Sequence, residues 1–187
     1  IEAGRLGFTT SYAEAAAFGR VHFIGVGTPQ QRGSYAADTR YVEAVIDDLV
    51  PQLEGEHLIL GKSTVPVGTA AALQERADKL AAANGNKASV EIAWNPEFLR
   101  EGYAVKDTIE PDRIVLGVRG GANAEEISRE IYATPLANNT PFIVTDLQTA
   151  ELVKVSANAF LATKISFINA VSEVCEIVGA DVTQLAD

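Results

Sequence analysis

Cysteine is nearly absent from this chain of 187 residues, where Cys175 stands alone. That excludes an intrachain disulfide and any zinc site built on several thiolates. Histidine is almost as scarce, and His22 and His57 lie too far apart in the chain to offer a metal-ligand spacing, so no metal is expected. Basic charge is in deficit: 15 Lys and Arg face 25 Asp and Glu, for a net charge of −10 and an isoelectric point near 4.7. With no run of Lys or Arg, the summed field repels phosphate backbones and anionic lipid, which argues against nucleic-acid and membrane-surface binding. Long apolar runs are missing too. Nothing reaches the ~18 residues of a spanning helix, and residues 1–5 do not form a basic-then-apolar signal peptide. The expected compartment is the cytoplasm. The first residue is Ile1 rather than methionine, which suggests a trimmed piece of a longer protein.

What remains is an ordinary globular composition, 47% hydrophobic, long enough to bury a sizeable core. Short aliphatic runs alternate with helical patterns, the signature of βαβ units on a parallel sheet. Residues 21–26 read as a buried strand ending in the turn Gly27-Thr28-Pro29. Over residues 35–49 the apolar positions Tyr41, Val42, Val45, Ile46 and Leu49 recur at helical spacing, with Pro51 as the stop. Residues 58–60, 90–93, 114–118 and 141–144 read as further strands. Residues 69–83 form an Ala-rich helix closed by Asn84-Gly85-Asn86, and residues 124–132 a short one. From residue 147 to residue 178 there is neither proline nor glycine, and apolar residues surround the helix circumference. This predicts one long, largely buried helix, on the order of 48 Å at 1.5 Å per residue, leading toward a second domain and capped by Gly179. The expected division is a partial nucleotide-binding domain over 1–145 and the start of a central helical domain over 146–187.

Four clusters carry chemistry, and three sit at or after strand ends, where open parallel sheets bind ligands. In Val26-Gly27-Thr28-Pro29-Gln30 a glycine lets a ligand approach the backbone and Thr28 offers a hydroxyl; an ordinary turn is the plain alternative. Lys62-Ser63-Thr64-Val65-Pro66-Val67-Gly68-Thr69 leads into a helix whose free N–H groups would favour an anion, or else is simply capped by Gly68 or Thr69. In Asn95-Pro96-Glu97-Phe98-Leu99-Arg100-Glu101-Gly102, a helical path would put Glu97 and Glu101 on one face, and their repulsion would raise a pKa toward the acid-base range. Two solvated glutamates are the alternative. Lys154 and Asn158, also four apart, fall inside the long apolar helix, where unpaired burial is expensive.

These motifs, together with Pro111-Asp112-Arg113 and the run from Glu151 to Phe160, resemble consecutive motifs of the UDP-glucose dehydrogenase family, in that family's order, over residues 4–181. The resemblance implies a partial doubly wound, Rossmann-like α/β sheet followed by a long helix. It also implies NAD-dependent oxidation of the primary alcohol of UDP-glucose to a carboxylate in two hydride transfers, through an aldehyde and an enzyme thioester. On that reading Val26, Gly27, Thr28, Pro29, Gln30, Ser63, Thr64, Val65 and Glu101 contact NAD, while Glu97, Phe98, Leu99, Arg100, Glu101, Lys154 and Asn158 line the nucleotide-sugar site. Lys154 would stabilise the developing oxyanion, Asn158 orient alcohol and water, and Glu97 and Thr64 serve proton transfer and water positioning. A homodimer through the long helix is implied as well.

The chain departs from the family in two places. Nothing before Val21 supplies the Gly-x-Gly-x-x-Gly turn that holds the dinucleotide pyrophosphate, and the family's catalytic cysteine falls beyond Asp187. Cys175 lies inside the helix and reads as a packing residue. The expectation is therefore a fragment unable to complete the oxidation alone. The related GDP-mannose and UDP-N-acetylmannosamine dehydrogenases, a β-hydroxyacid dehydrogenase with its own Lys-x-x-x-Asn pair, and a noncatalytic binding or dimerisation piece are the competing readings.

Overall fold

The computed structural model describes residues 4–85, 87–120 and 123–186. Ile1, Asn86 and Asp187, each used in the reading above, lie outside the described residues. In chain order the elements are α1 (Tyr12–Phe18), β1 (Val21–Ile24), α2 (Arg40–Leu49), a 3₁₀ turn (Val50–Gln52), β2 (Gly55–Gly61), α3 (Thr69–Ala83), β3 (Ala88–Trp94), α4 (Ala104–Ile109), β4 (Ile114–Val118), α5 (Asn123–Ile131), α6 (Ala133–Ala137), β5 (Phe142–Asp146), α7 (Leu147–Val178) and α8 (Val182–Ala186).

The strands form one sheet in sequence order. β1, β2 and β3 pair in parallel, as do β4 and β5, but β3 meets β4 antiparallel through Trp94 and Gly117 alone. The α/β architecture thus stands, on a mixed sheet rather than an all-parallel one. β2 is buried on both faces, which explains its unbroken apolar run: Ile59 faces the main core with Val42, Ile46, Leu73 and Ala77 of α2 and α3, whereas Leu58 and Leu60 face a smaller cluster with Leu116 and Ala124.

One boundary of α2 differs from its pattern. α2 begins at Arg40 because residues 31–38 are tied into a loop, with the Asp38 N–H donating to the Pro29 carbonyl at 2.7 Å. Its C-terminal end is the expected one: α2 stops at Leu49, the Val50 N–H makes the last bond back to the Ile46 carbonyl, and Pro51, which has no N–H to continue the series, falls in the 3₁₀ turn that follows. α7 runs over the expected 32 residues, from its Asp146 cap to Gly179 at φ 75°. Its burial is the main correction. Within it only Leu147, Ala150, Glu151, Lys154 and Cys175 are buried, while Phe160, Leu161, Ile165 and Phe167 are exposed. The physical reason is reach: the first turns lie on the sheet, where Leu147 and Ala150 join the main core, and the rest runs past it, with α8 against its far end. No helix among the described residues is long and apolar enough to cross a membrane.

The two histidines, remote in sequence, are neighbours in space. His22 of β1 and His57 of β2 bring Nε2 and Nδ1 within 3.0 Å, with the rings stacked. Burial, and then the charge of His57, hold the His22 imidazole below its ordinary pKa.

Candidate active site

Parallel pairing brings the segments after β1, β2 and β3 to one edge of the sheet. The ladder runs one residue past the strands, with the Lys62 N–H on the Ile24 carbonyl and the Asn95 N–H on the Gly61 carbonyl, each at 2.8 Å. Gly61 makes this possible: a Cβ there would collide with the buried ring of Trp94. Beyond the strands, Thr28 Oγ1 donates to the Thr64 carbonyl and Ser63 Oγ to the Val26 carbonyl, both at 2.6 Å. The first two loops are therefore knitted together by the hydroxyls that the sequence singled out.

The third segment does not form a helix through Glu97 and Glu101. Pro96 biases Asn95 toward extended backbone, and no helix begins before Ala104. Glu97 instead turns to α7, where its Oε1 lies 3.0 Å from Lys154 Nζ, and its Oε2 accepts from the Leu99 N–H at 2.6 Å. Burial pushes the Glu97 carboxyl up. The Leu99 hydrogen bond, the Lys154 contact and the charges of Lys154 and Lys62 outweigh that and hold it below the ordinary value. Glu97 is thus an ionised partner of a lysine and not one of two repelling acids. Glu101 is exposed in a turn and makes no hydrogen bond or ion pair among the described residues.

Lys154 itself is buried, which the ion pair makes tolerable. Two cations approach the Phe98 ring, Lys154 Nζ at 5.5 Å and the Arg113 guanidinium at 4.5 Å from its centre. Lys62 Nζ donates to the carbonyl and Oδ1 of Asn95 at 3.1 and 3.0 Å, and Tyr132 shares that Oδ1. Asn95 Nδ2 is fixed in turn on the Val115 carbonyl at 2.8 Å. Burial, followed by repulsion from Lys154 and against the attraction of Glu97, lowers the Lys62 pKa to about 8. Lys62, Glu97, Phe98, Arg113 and Tyr132 share the wall of a cleft of about 570 Å³.

The first turn of α3 is not an open anion site. Its donors are taken by Glu151 of α7, whose Oε2 and Oε1 accept from the Gly68 and Ala70 N–H groups at 2.7 Å each. Burial pushes the Glu151 carboxyl up despite those backbone bonds.

The remaining candidates fall in place unevenly. Gly27 is exposed and a Cβ on it, or on Gly25, would meet nothing within 4 Å, so the backbone after β1 faces open space that a dinucleotide could approach. The Pro29 carbonyl is used by Asp38, and Gln30 forms an isolated bridge with Ala37. Val65 points into the main core and leaves only its backbone to a ligand. Leu99 is exposed, and Arg100 is drawn away to Asp107, with Nη2 and Oδ1 2.6 Å apart. Asn158 lies one turn beyond Lys154, exposed and with no side-chain hydrogen bond among the described residues. The sequence gives no site role to Lys62, Asn95, Tyr132, Arg113 or Glu151; the signal for all but Tyr132 is their place inside the quoted motifs. Among the described residues no group of three or more His, Cys, Asp or Glu could hold a metal.

A mixed α/β sheet with a hydroxyl-laced strand edge and a lysine-bearing helix laid against it defines a Rossmann-like dehydrogenase fold. The chain matches the UDP-glucose/GDP-mannose dehydrogenase family, NAD binding domain, over residues 1–136, and the central domain of the same family over residues 148–187. It belongs to the UDP-glucose/GDP-mannose dehydrogenase family. It is 42% identical to UDP-glucose 6-dehydrogenase of Rhizobium meliloti (strain 1021), over 100% of this chain and 42% of that relative. With UDP-glucose 6-dehydrogenase TuaD of Bacillus subtilis (strain 168) it shares 41%, over 98% of this chain and 38% of that protein. Among solved structures it superposes on a UDP-glucose dehydrogenase from Pyrobaculum islandicum with a TM-score of 0.86 at 38% identity, covering 98% of this chain and 41% of the other. A GDP-mannose dehydrogenase from Pseudomonas aeruginosa, solved as a ternary complex, gives 0.89 at 29% identity, covering 100% and 42%. The chain thus spans about two fifths of these relatives' length.

Proposed function

We propose that these residues form the NAD-facing and part of the sugar-facing wall of a UDP-glucose 6-dehydrogenase. The observation that carries the reading is the Lys154–Glu97 ion pair at 3.0 Å, set beside the strand-end loops. A fixed ammonium beside the sugar's primary alcohol stabilises negative charge as it grows on the oxygen, the kind of preorganised electrostatics that forms a large part of catalysis. The ionised Glu97 carboxylate is suited to accept the alcohol proton through a water that Thr64 helps to hold. Asn158 orients the alcohol and the water, and Phe98, Leu99 and Glu101 line the sugar's path, with Arg100 joining them only on release from Asp107. Bound NAD supplies the hydride acceptor. The residues that would hold it are Val26, Gly27, Thr28, Pro29 and Gln30, the loop Ser63, Thr64 and Val65, and Glu101; the open backbone at Gly25 and Gly27 fits such a ligand. Residues 1–145 belong on this reading to the nucleotide domain and residues 146–187 to the start of the central domain, which pairs two copies through α7. Cys175 is buried and free, so the 187 residues alone offer no accessible thiol to capture an aldehyde.

The test is NADH formation, followed by absorbance, from the product of the gene that encodes these residues, given UDP-glucose, GDP-mannose or UDP-N-acetylmannosamine. Turnover is expected to be fastest with UDP-glucose and absent from the isolated 187 residues. A preference for either other sugar would overturn the substrate, and turnover by the isolated chain would overturn the assignment of Cys175.

A further inference from the structure

Glu151 is 1% exposed and lies outside the cleft wall, yet both of its oxygens are engaged at 2.7 Å by backbone groups more than 80 residues away in the chain. Its partners are the N–H groups of Gly68 and Ala70, which open α3 and have no intrahelical acceptor. Gly68 reaches this arrangement with φ 96°, a conformation that side chains resist. An anion at a helix N-terminus is favoured by the helix dipole as well as by the hydrogen bonds. Here the anion is covalently part of α7.

What Glu151 joins gives the contact its meaning. Three residues further along α7, roughly 4.5 Å at the helical rise, stands Lys154. Immediately before α3 stands the loop with Ser63 and Thr64, which is itself bonded to the first loop through Val26 and Thr28. Two hydrogen bonds from one buried carboxylate therefore connect the element carrying the cation to the element carrying the hydroxyls.

We propose that Glu151 is a positioning residue of this site: its carboxylate clamps the first turn of α3 and so holds Lys154 and the Ser63-Thr64 loop in one register. The inference rests on the dehydrogenase reading. It predicts a loss in kcat, because misplacing a reacting group by about 1 Å can cost on the order of 100-fold. The nucleotide-sugar KM should move far less.

The experiment measures steady-state NADH formation by the full gene product with Glu151→Ala and Glu151→Gln, with and without sodium formate. Glu151→Ala is expected to lose on the order of 100-fold in kcat and to regain part of it, saturably, when formate enters the vacated space at the α3 N-terminus. Glu151→Gln fills that space, so it should lose kcat without formate rescue. Two results would overturn the proposal: a kcat close to wild type in either variant, or formate raising the thermal stability of Glu151→Ala while kcat stays down, which would leave Glu151 a purely structural role. Should Glu151→Ala fail to fold, Glu151→Gln, which keeps the shape and one acceptor, still decides between kcat loss and none. A wild-type enzyme without turnover on any nucleotide sugar would be a failure of the functional reading, visible before any variant is made.

Discussion

Lys154 and Glu97 form one ion pair but are not equally buried: 8% of the lysine side chain is exposed against 31% of the glutamate. Removing either partner therefore has a different cost. Glu97→Gln strands a buried ammonium that already repels the charge of Lys62, at a cost on the order of 3 kcal/mol. Lys154→Met leaves a carboxylate that still reaches water, at a cost of about 1 kcal/mol. Urea unfolding midpoints of the two variants check this order, and equal costs would contradict it. Glu97 also sets an acid limb. Its folded pKa lies below the ordinary 4.5, so its contribution is fully present above that value and is lost as pH falls through the depressed folded value.

Lys62 gives the opposite limb. Its folded pKa, about 8, is below the ordinary 10.5, so between these values the unfolded chain binds more protons and stability rises with pH. Below about pH 8 the lysine is charged in both states and the cost of burying it is felt in full. The wild-type protein should therefore gain stability from pH 8 to about 9, before the tyrosines, with an ordinary pKa of about 10, begin to ionise, and Lys62→Met should lack that gain. Denaturant melts across the window measure it; parallel curves would remove Lys62 as a buried titrating group.

At the scale of elements, the join of β2 to β3 is the tightest demand in the site. Gly61→Ala places a methyl against the Trp94 ring, and relieving that overlap should cost about 1–3 kcal/mol. Trp94 is the chain's only tryptophan, so its emission reports the join directly. A red shift with lower stability is expected, and an unchanged spectrum at full stability would mean the ring has room. The strands themselves were legible because β2 and β4 are buried runs of Leu, Ile and Val bounded by turn residues. The limits of α7 were legible because no breaker interrupts residues 147–178 and Gly179 supplies the left-handed cap. Its burial was not legible, since apolar composition does not say what covers it. The antiparallel step from β3 to β4 was equally hidden: it rests on one residue pair, Trp94 with Gly117. At the site, Lys154 was visible as a charge in an apolar helix. The Glu97–Glu101 pairing failed because the Glu97 carboxylate takes the Leu99 N–H and reaches Lys154 of α7, a partner remote in sequence, and Glu151 was missed because its partners are remote as well.

For the molecule as a whole, the unresolved balance lies between the exposed apolar residues of α7 and the net charge of −10. Phe160, Phe167 and Val174 are seven apart and all exposed, so they fall along one stripe of the helix, with Leu161 and Ile165 on another side. Burying one large apolar side chain between two copies is worth about 1.5–3 kcal/mol. Two copies of an acidic chain repel, and that repulsion is screened as the Debye length falls from about 30 Å at 0.01 M to about 3 Å at 1 M salt. A homodimer through α7 should therefore tighten with salt, the reverse of an assembly held by opposite charges. Sedimentation equilibrium at low and high salt reads this directly. The double variant Phe160→Glu with Phe167→Glu removes two anchors and adds four acidic charges per pair of copies, and it should be monomeric even at high salt. A wild-type monomer under both conditions would overturn the dimer, whereas a dimer that weakens with salt would move the interface from the apolar stripe of α7 to a charged surface elsewhere on the molecule.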